Sequence, residues 1–154
     1  MTATERLAEL GITLPPVVPP VAAYVPVVVE GGLAWTSGQL PIVDGQLPQT
    51  GLVGGDVTAD EAAGHARQAA LNALAALAAE LGSLDRVARV VKVVGFVASA
   101  PGFTGQPGVI NGASALLGEV FGAAGRHARS AVGVAALPLG APVEVELVVA
   151  ITPA

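Results

Sequence analysis

Arg129 and a pair of glutamates, Glu144 and Glu146, fall within one stretch, "HARSAVGVAALPLGAPVEVEL" (127–147), whose other residues are nearly all small or aliphatic. The alternation on either side of a proline-bounded break reads as two strands joined by a turn. Strand periodicity puts Arg129, Ala131, Gly133 and Ala135 on one face, with Ser130, Val132 and Val134 on the other. A charge among such residues is costly unless something pairs with it. Small neighbours leave a guanidinium room to take a carboxylate by two parallel hydrogen bonds. The plain alternative is an edge arginine in a structural ion pair. Glu144 and Glu146 share a face against Val143, Val145 and Leu147, and read either as solvated residues or as acid–base groups. Taken as a hairpin turning near Leu139, the strands set Arg129 opposite about Val149 and Glu144 opposite about Val134. The two are then about 17 Å apart at ~3.3 Å per residue. A pocket that uses both must lie between copies of the chain.

Other chemistries are excluded or disfavoured. There is no G-x-x-x-x-G-K-[ST] loop, no strand-linked G-x-G-x-x-G and no G-x-S-x-G elbow. Cysteine is absent, and His65 and His127 alone do not make a structural zinc site. His65, four residues after Glu61 in a helical pattern, reads as part of a solvated helix face. The net charge is −5, with one lysine, Lys92, and six scattered arginines. That lacks the basic stripe of a nucleic-acid binder, and aromatics at 3% give no stacking platform. No stretch of eighteen or more apolar residues is free of charge, so no membrane span is expected. "MTATERLAEL" has no signal-peptide core, and a cytoplasmic protein is expected.

The elements that must position these residues follow from pattern. A single domain is expected over 1–154. Residues 1–23 form an N-terminal segment: a short helix, then "LPPVVPPVA", whose prolines favour extended backbone. Val25–Val29 and Leu33–Ser37 flank a Glu-Gly-Gly turn and read as a hairpin. Thr58 and Glu61 make a T-x-x-E helix start, and Leu71, Leu74, Leu77 and Leu81 continue it to a stop at Gly82. "RVARVVKVVGFVAS" (86–99) reads as a buried strand. A second helix is expected from about Gly108 to Phe121, ahead of the closing hairpin. The order is ββαβαββ, an α+β sandwich of a mixed sheet with two helices packed on one face.

Two motifs carry a resemblance. "WTSGQLP" resembles the strand ending in S-G-Q of the RidA, or YjgF, family. "ARSAVGVAALPLGAPVEVE" resembles that family's longer and more specific A-R-S…L-P…V-E-I-E signature. Tyr24 stands thirteen residues before Ser37, as in the family. Asn111 fits its N-x-x-Y position, with Ser114 in place of the tyrosine. The likeness runs from Tyr24 to Ile151. It implies a chorismate-mutase-like homotrimer with ligand sites in clefts between subunits. It also implies hydrolysis of 2-imino acids, released by pyridoxal-phosphate enzymes, to 2-keto acids and ammonia, with no metal or organic cofactor. On matching positions, Arg129 would hold the substrate carboxylate and Glu144 would position the attacking water. Tyr24, Ser37, the Gly38 backbone and Asn111 would line the cleft, with Ala131 at a position that is often cysteine.

Departures mark a divergent subgroup. The segment 103–129 is longer than in the family's deaminases, and His127 stands where proline is common. His127 reads either as a titratable group at the cleft mouth or as a loop histidine. Two other functions compete with deamination: a non-catalytic module that binds or senses small carboxylates, and RNA cleavage, which the acidic charge disfavours. Arg129 together with Glu144 favours the enzyme.

Overall fold

The computed structural model describes residues 1–20 and 22–154; Val21, within the N-terminal segment 1–23, lies outside the described residues. The first element is a helix, α1 (Ala3–Glu9), opened by a reciprocal cap. The Thr2 hydroxyl accepts from the Glu5 N–H, and the Glu5 carboxylate accepts from the Thr2 N–H. No regular structure forms over 12–20, where the prolines stand.

Strands β1 (Val27–Glu30) and β2 (Leu33–Thr36) are joined by Gly31 and Gly32, both at positive φ (61° and 78°). Two such residues in succession make the tight turn whose twist matches antiparallel strands. Helix α2 (Ala59–Leu81) begins at Thr58, whose hydroxyl accepts from the Glu61 N–H, and stops at Gly82 in the left-handed conformation. Strand β3 (Val87–Ala98), helix α3 (Gln106–Phe121), strand β4 (Ala128–Val134) and strand β5 (Val143–Ile151) follow.

The sheet has the order β1-β2-β5-β3-β4, with only β3 and β4 parallel. Helices α2 and α3 cover one face, and α1 packs against α3 at their edge. The architecture is therefore the α+β sandwich that the pattern implies, with a third helix added. The core runs between β5 (Val143, Val145, Leu147, Val149) and the inner faces of α2 and α3.

The closing hairpin is a correction. β4 and β5 do not pair: β3 lies between them, parallel to β4 and antiparallel to β5. The reason is topological. α3 is a crossover connection, and a crossover from β3 lays its next strand parallel beside it. β5, with its buried valine and leucine face, takes a central position between β2 and β3. β4 (ARSAVGV), with no fully buried residue, remains at the edge.

Close packing of α2 on α3 depends on missing side chains. α2 presents fully buried alanines, among them Ala62, Ala66, Ala69 and Ala73. On α3, a Cβ at Gly112 would lie 1.9 Å from the Ala63 carbonyl oxygen. A Cβ at Gly95 of β3 would fall 2.5 Å from Ile110 of α3. The first obstacle is backbone and cannot rotate away. Gly112→Ala is accordingly expected to destabilise the fold by about 1–3 kcal/mol or more, the usual range for overpacking. A fall in the urea midpoint with an unchanged slope would register it; an unchanged midpoint would mean that the two helices are not in this contact.

Candidate functional site

The predicted residues separate into two groups on opposite faces of the sheet. Arg129 pairs in register with Val93, whose side chain is buried under the helices, so Arg129 shares the helix-covered face with Ala131. Glu144 pairs with Phe96 on the uncovered face, two strands away. Three residues along the strands and two strand spacings set their backbones roughly 14 Å apart. The two cannot meet within one chain. The estimate from a β4–β5 hairpin is replaced, since β3 and the thickness of the sheet now separate them.

Arg129 reaches back to α3. Its Nη1 donates to Asn111 Oδ1 (2.8 Å) and to Ser114 Oγ (3.2 Å), and its Nη2 donates to the Pro107 carbonyl (3.2 Å). Pro107, Asn111 and Ser114 follow one another at four- and three-residue steps, which places them on one stripe of the helix. Asn111 is thus brought to Arg129. Ser114 was singled out in the sequence for its motif position alone; the helical stripe is the signal that joins it to Arg129. Three of the five guanidinium N–H groups are committed, all to neutral acceptors. Among the described residues, Nε–H and one Nη2–H have no acceptor, and no carboxylate lies within 4.0 Å of Arg129. The structural ion pair is therefore not what holds this arginine.

Glu144 faces a different set. The chain from Ser37 to Leu40 runs beside β5, with Gln39 exchanging backbone hydrogen bonds with Val145. A Cβ at Gly38 would lie 2.7 Å from the Glu144 carboxyl carbon, so glycine is required for the carboxyl to lie there. Ser37 donates its hydroxyl to the Val25 carbonyl (2.6 Å), fixing the strand end. Buried Asn72 of α2 donates to the Leu40 and Ile42 carbonyls (2.9 and 3.0 Å), holding the same loop from below. Tyr24, Gly38, Pro138 and Glu144 line a pocket of about 60 Å³, walled otherwise by Val18, Pro19 and Ile42. The pocket is narrow and partly open to solvent.

Burial, with Glu146 adding like-charge repulsion, pushes the Glu144 carboxyl above the usual carboxylate range. His65 is not a free surface group: its Nε2 lies 2.8 Å from Gln49 Oε1, and burial lowers its pKa despite nearby Glu61. Among the described residues no three His, Asp or Glu side chains converge to hold a metal ion. No described helix is long and apolar enough to cross a membrane.

The shift at Glu144 has a definite sign in stability. A carboxyl with a raised folded-state pKa binds its proton more tightly in the folded chain. Its contribution is favourable at low pH and is lost as pH rises from the unfolded pKa through the folded one. Glu144→Gln is therefore expected to raise Tm at about pH 8, with the gain shrinking as the pH falls towards the ordinary carboxylate range. Melting curves of both chains across that interval check this; a gain that grows on acidification would contradict the burial of the charge.

Comparison with known proteins places this fold in a family. A family model described as "YjgF/chorismate mutase-like, putative endoribonuclease" matches residues 4–151. Protein TCP17 of Trypanosoma cruzi is 49% identical over 145 residues, covering 94% of this chain and 91% of that protein. The crystal structure of Atu1372 from Agrobacterium tumefaciens, of unknown function, superposes with a TM-score of 0.90 at 48% identity, over 97% of this chain and 92% of that one. Escherichia coli TdcF, solved with bound serine, superposes with a TM-score of 0.63 at 25% identity, over 90% of this chain and 94% of that one. This chain belongs to the YjgF/chorismate-mutase-like family.

Proposed function

We propose that the chain hydrolyses small 2-imino acids to 2-keto acids and ammonia, in a cleft where Arg129 of one copy faces Glu144 of another. The observation that carries this reading is the state of Arg129: a cation fixed by three neutral acceptors, with two N–H groups left to one side and no acid beside it. Such a fork suits a carboxylate, which accepts two parallel hydrogen bonds. The serine bound to E. coli TdcF supports an amino-acid-like ligand for a fold of this kind.

An imine carbon is already electrophilic, so orientation and one proton carrier suffice. With the carboxylate held at Arg129, water attacks the C=N carbon and passes a proton to Glu144. Glu144 returns it to the nitrogen, giving a carbinolamine. The carboxylate then takes the hydroxyl proton and passes it to the same nitrogen as the C–N bond breaks, so that ammonia leaves and the keto group forms. A carboxyl whose pKa is raised by burial holds a proton more readily and is suited to both transfers. Tyr24, Ser37, Gly38 and Asn111 complete the walls, and Ala131 beside Arg129 leaves space. The small volume at Glu144 supports a site that is completed by a second copy. So does the uncovered sheet face, where Val28, Trp35 and Val132 remain about half exposed.

Light scattering should give a trimer, and a stable monomer would sink the shared cleft. Ammonia release from imines made in situ by an amino-acid oxidase tests the chemistry. Glu144→Gln should lower turnover by about 10²-fold or more, while Glu146→Gln should be nearly silent. Arg129→Lys should weaken the rise in Tm caused by pyruvate, since a point charge does not reproduce the fork. Stabilisation by pyruvate without turnover of any 2-imino acid would instead favour a carboxylate-binding module.

A further inference from the structure

Ser114 and His127 form an arrangement that imine hydrolysis does not use. His127 Nδ1 lies 2.6 Å from the Gly125 carbonyl oxygen, which can only accept, so Nδ1 carries the ring proton. In the neutral ring His127 Nε2 is then the acceptor, 2.8 Å from Ser114 Oγ, and the Ser114 hydroxyl donates to it. A serine within a helix ordinarily bonds back to the carbonyl one turn earlier. Ser114 is turned instead to a base whose orientation is fixed by a third group. On its other side it accepts from Arg129 Nη1 at 3.2 Å, a cation that favours the alkoxide over the alcohol. Nucleophile, base, base-orienting acceptor and adjacent positive charge are thus within hydrogen-bond reach of one another.

Local packing builds this group. The 3-10 turn Gly122–Gly125 lies directly on the end of α3, where a Cβ at Gly125 would meet the Leu117 carbonyl oxygen at 2.3 Å. That contact brings His127 over Ser114. One helical turn beyond Ser114, Gly118 has open space where its side chain would be. The result is an open surface depression lined by Ser114, His127, Gly118, Gly122, Ala123 and Arg126. It lies on the Nη1 flank of Arg129, whereas the unused N–H pair is on the Nε and Nη2 flank. The two sites share the guanidinium but not its donors.

We propose that Ser114 is an acyl-transfer nucleophile, with His127 as its general base, acting on small carboxylic esters or thioesters. Ser114 Oγ bonds to the acyl carbon as its proton passes to His127 Nε2. The bond to the leaving oxygen or sulfur breaks, and the leaving group takes that proton. Water then attacks the acyl-serine, gives a proton to His127, and releases the acid as the proton returns to Ser114. The positive charge of Arg129, whose Nη1 contacts Ser114 Oγ, lies beside the reacting centre. Arg126 on the same wall favours acyl donors that are themselves negatively charged.

A fluorophosphonate probe tests this without reference to imine turnover. Intact and peptide mass spectrometry should find one phosphonyl group, on Ser114, and none on Ser114→Ala. His127→Gln should label at least about 100-fold more slowly, the loss expected for a general base. The chain has no cysteine, so Ser114→Cys installs a lone thiol. Beside His127 and Arg129 it should alkylate with iodoacetamide at about pH 6 roughly tenfold or more faster than free cysteine, because its thiolate is favoured. A wild-type chain unlabelled at Ser114, equal labelling of His127→Gln, or an unactivated thiol would each overturn the proposal.

Discussion

The fold depends on how closely α3 approaches its neighbours. Gly112 lets its backbone lie against the backbone of α2, and Gly95 admits Ile110 to the sheet. Every side-chain hydrogen bond of Arg129 is made to this helix, whose own position is set by apolar and steric contacts. A few tenths of an ångström lost at Gly112 would be felt at its neighbours Asn111 and Ser114, one and two residues away, whose hydrogen bonds aim the arginine. Packing of this density transmits displacement rather than absorbing it.

A second constraint is the sheet itself. Its central strands bury valine and leucine on one face and carry Glu144, Glu146 and Phe96 on the other. The cation and the carboxyl are therefore assigned to different sides by strand periodicity alone. Each is supported separately: Arg129 by α3, and Glu144 by the 37–42 loop that Asn72 pins from α2. The acidic half owes its raised pKa to poor solvation and a like-charged neighbour; the basic half keeps its charge free by using only neutral partners.

Much of this was legible in the residues. The Gly31-Gly32 turn, the Thr58 cap and the Gly82 stop follow from local chemistry, and the structure has each of them. So does the sharing of a face by Arg129 and Ala131. The pairing of β4 was not legible, because a turn rich in proline and glycine between two strands is equally compatible with a hairpin and with an arch over an intervening strand. Choosing between them requires knowing that β5 is the more deeply buried, a property of the whole sheet. The reciprocal cap of Thr2 and Glu5 was present in the sequence as a T-x-x-E spacing, and predicts α1 as clearly as Thr58 predicts α2. The His127–Ser114 contact was not readable, since it joins residues thirteen apart through a 3-10 turn whose course is set by Gly125 resting on the end of α3.

β4 is an edge strand, paired on one side only and made largely of residues too small to anchor it. Edge strands open locally at a fraction of the free energy needed to unfold a core. Arg129 travels with that strand, tethered across to α3 by its three hydrogen bonds. The persistence of the guanidinium in its bound orientation is then governed by fraying of this margin, not by the global stability of the domain. Amide hydrogens of β4 would exchange with solvent well before those of β3 and β5. A neighbour that covered the margin would lengthen the life of the oriented arginine without touching the arginine at all.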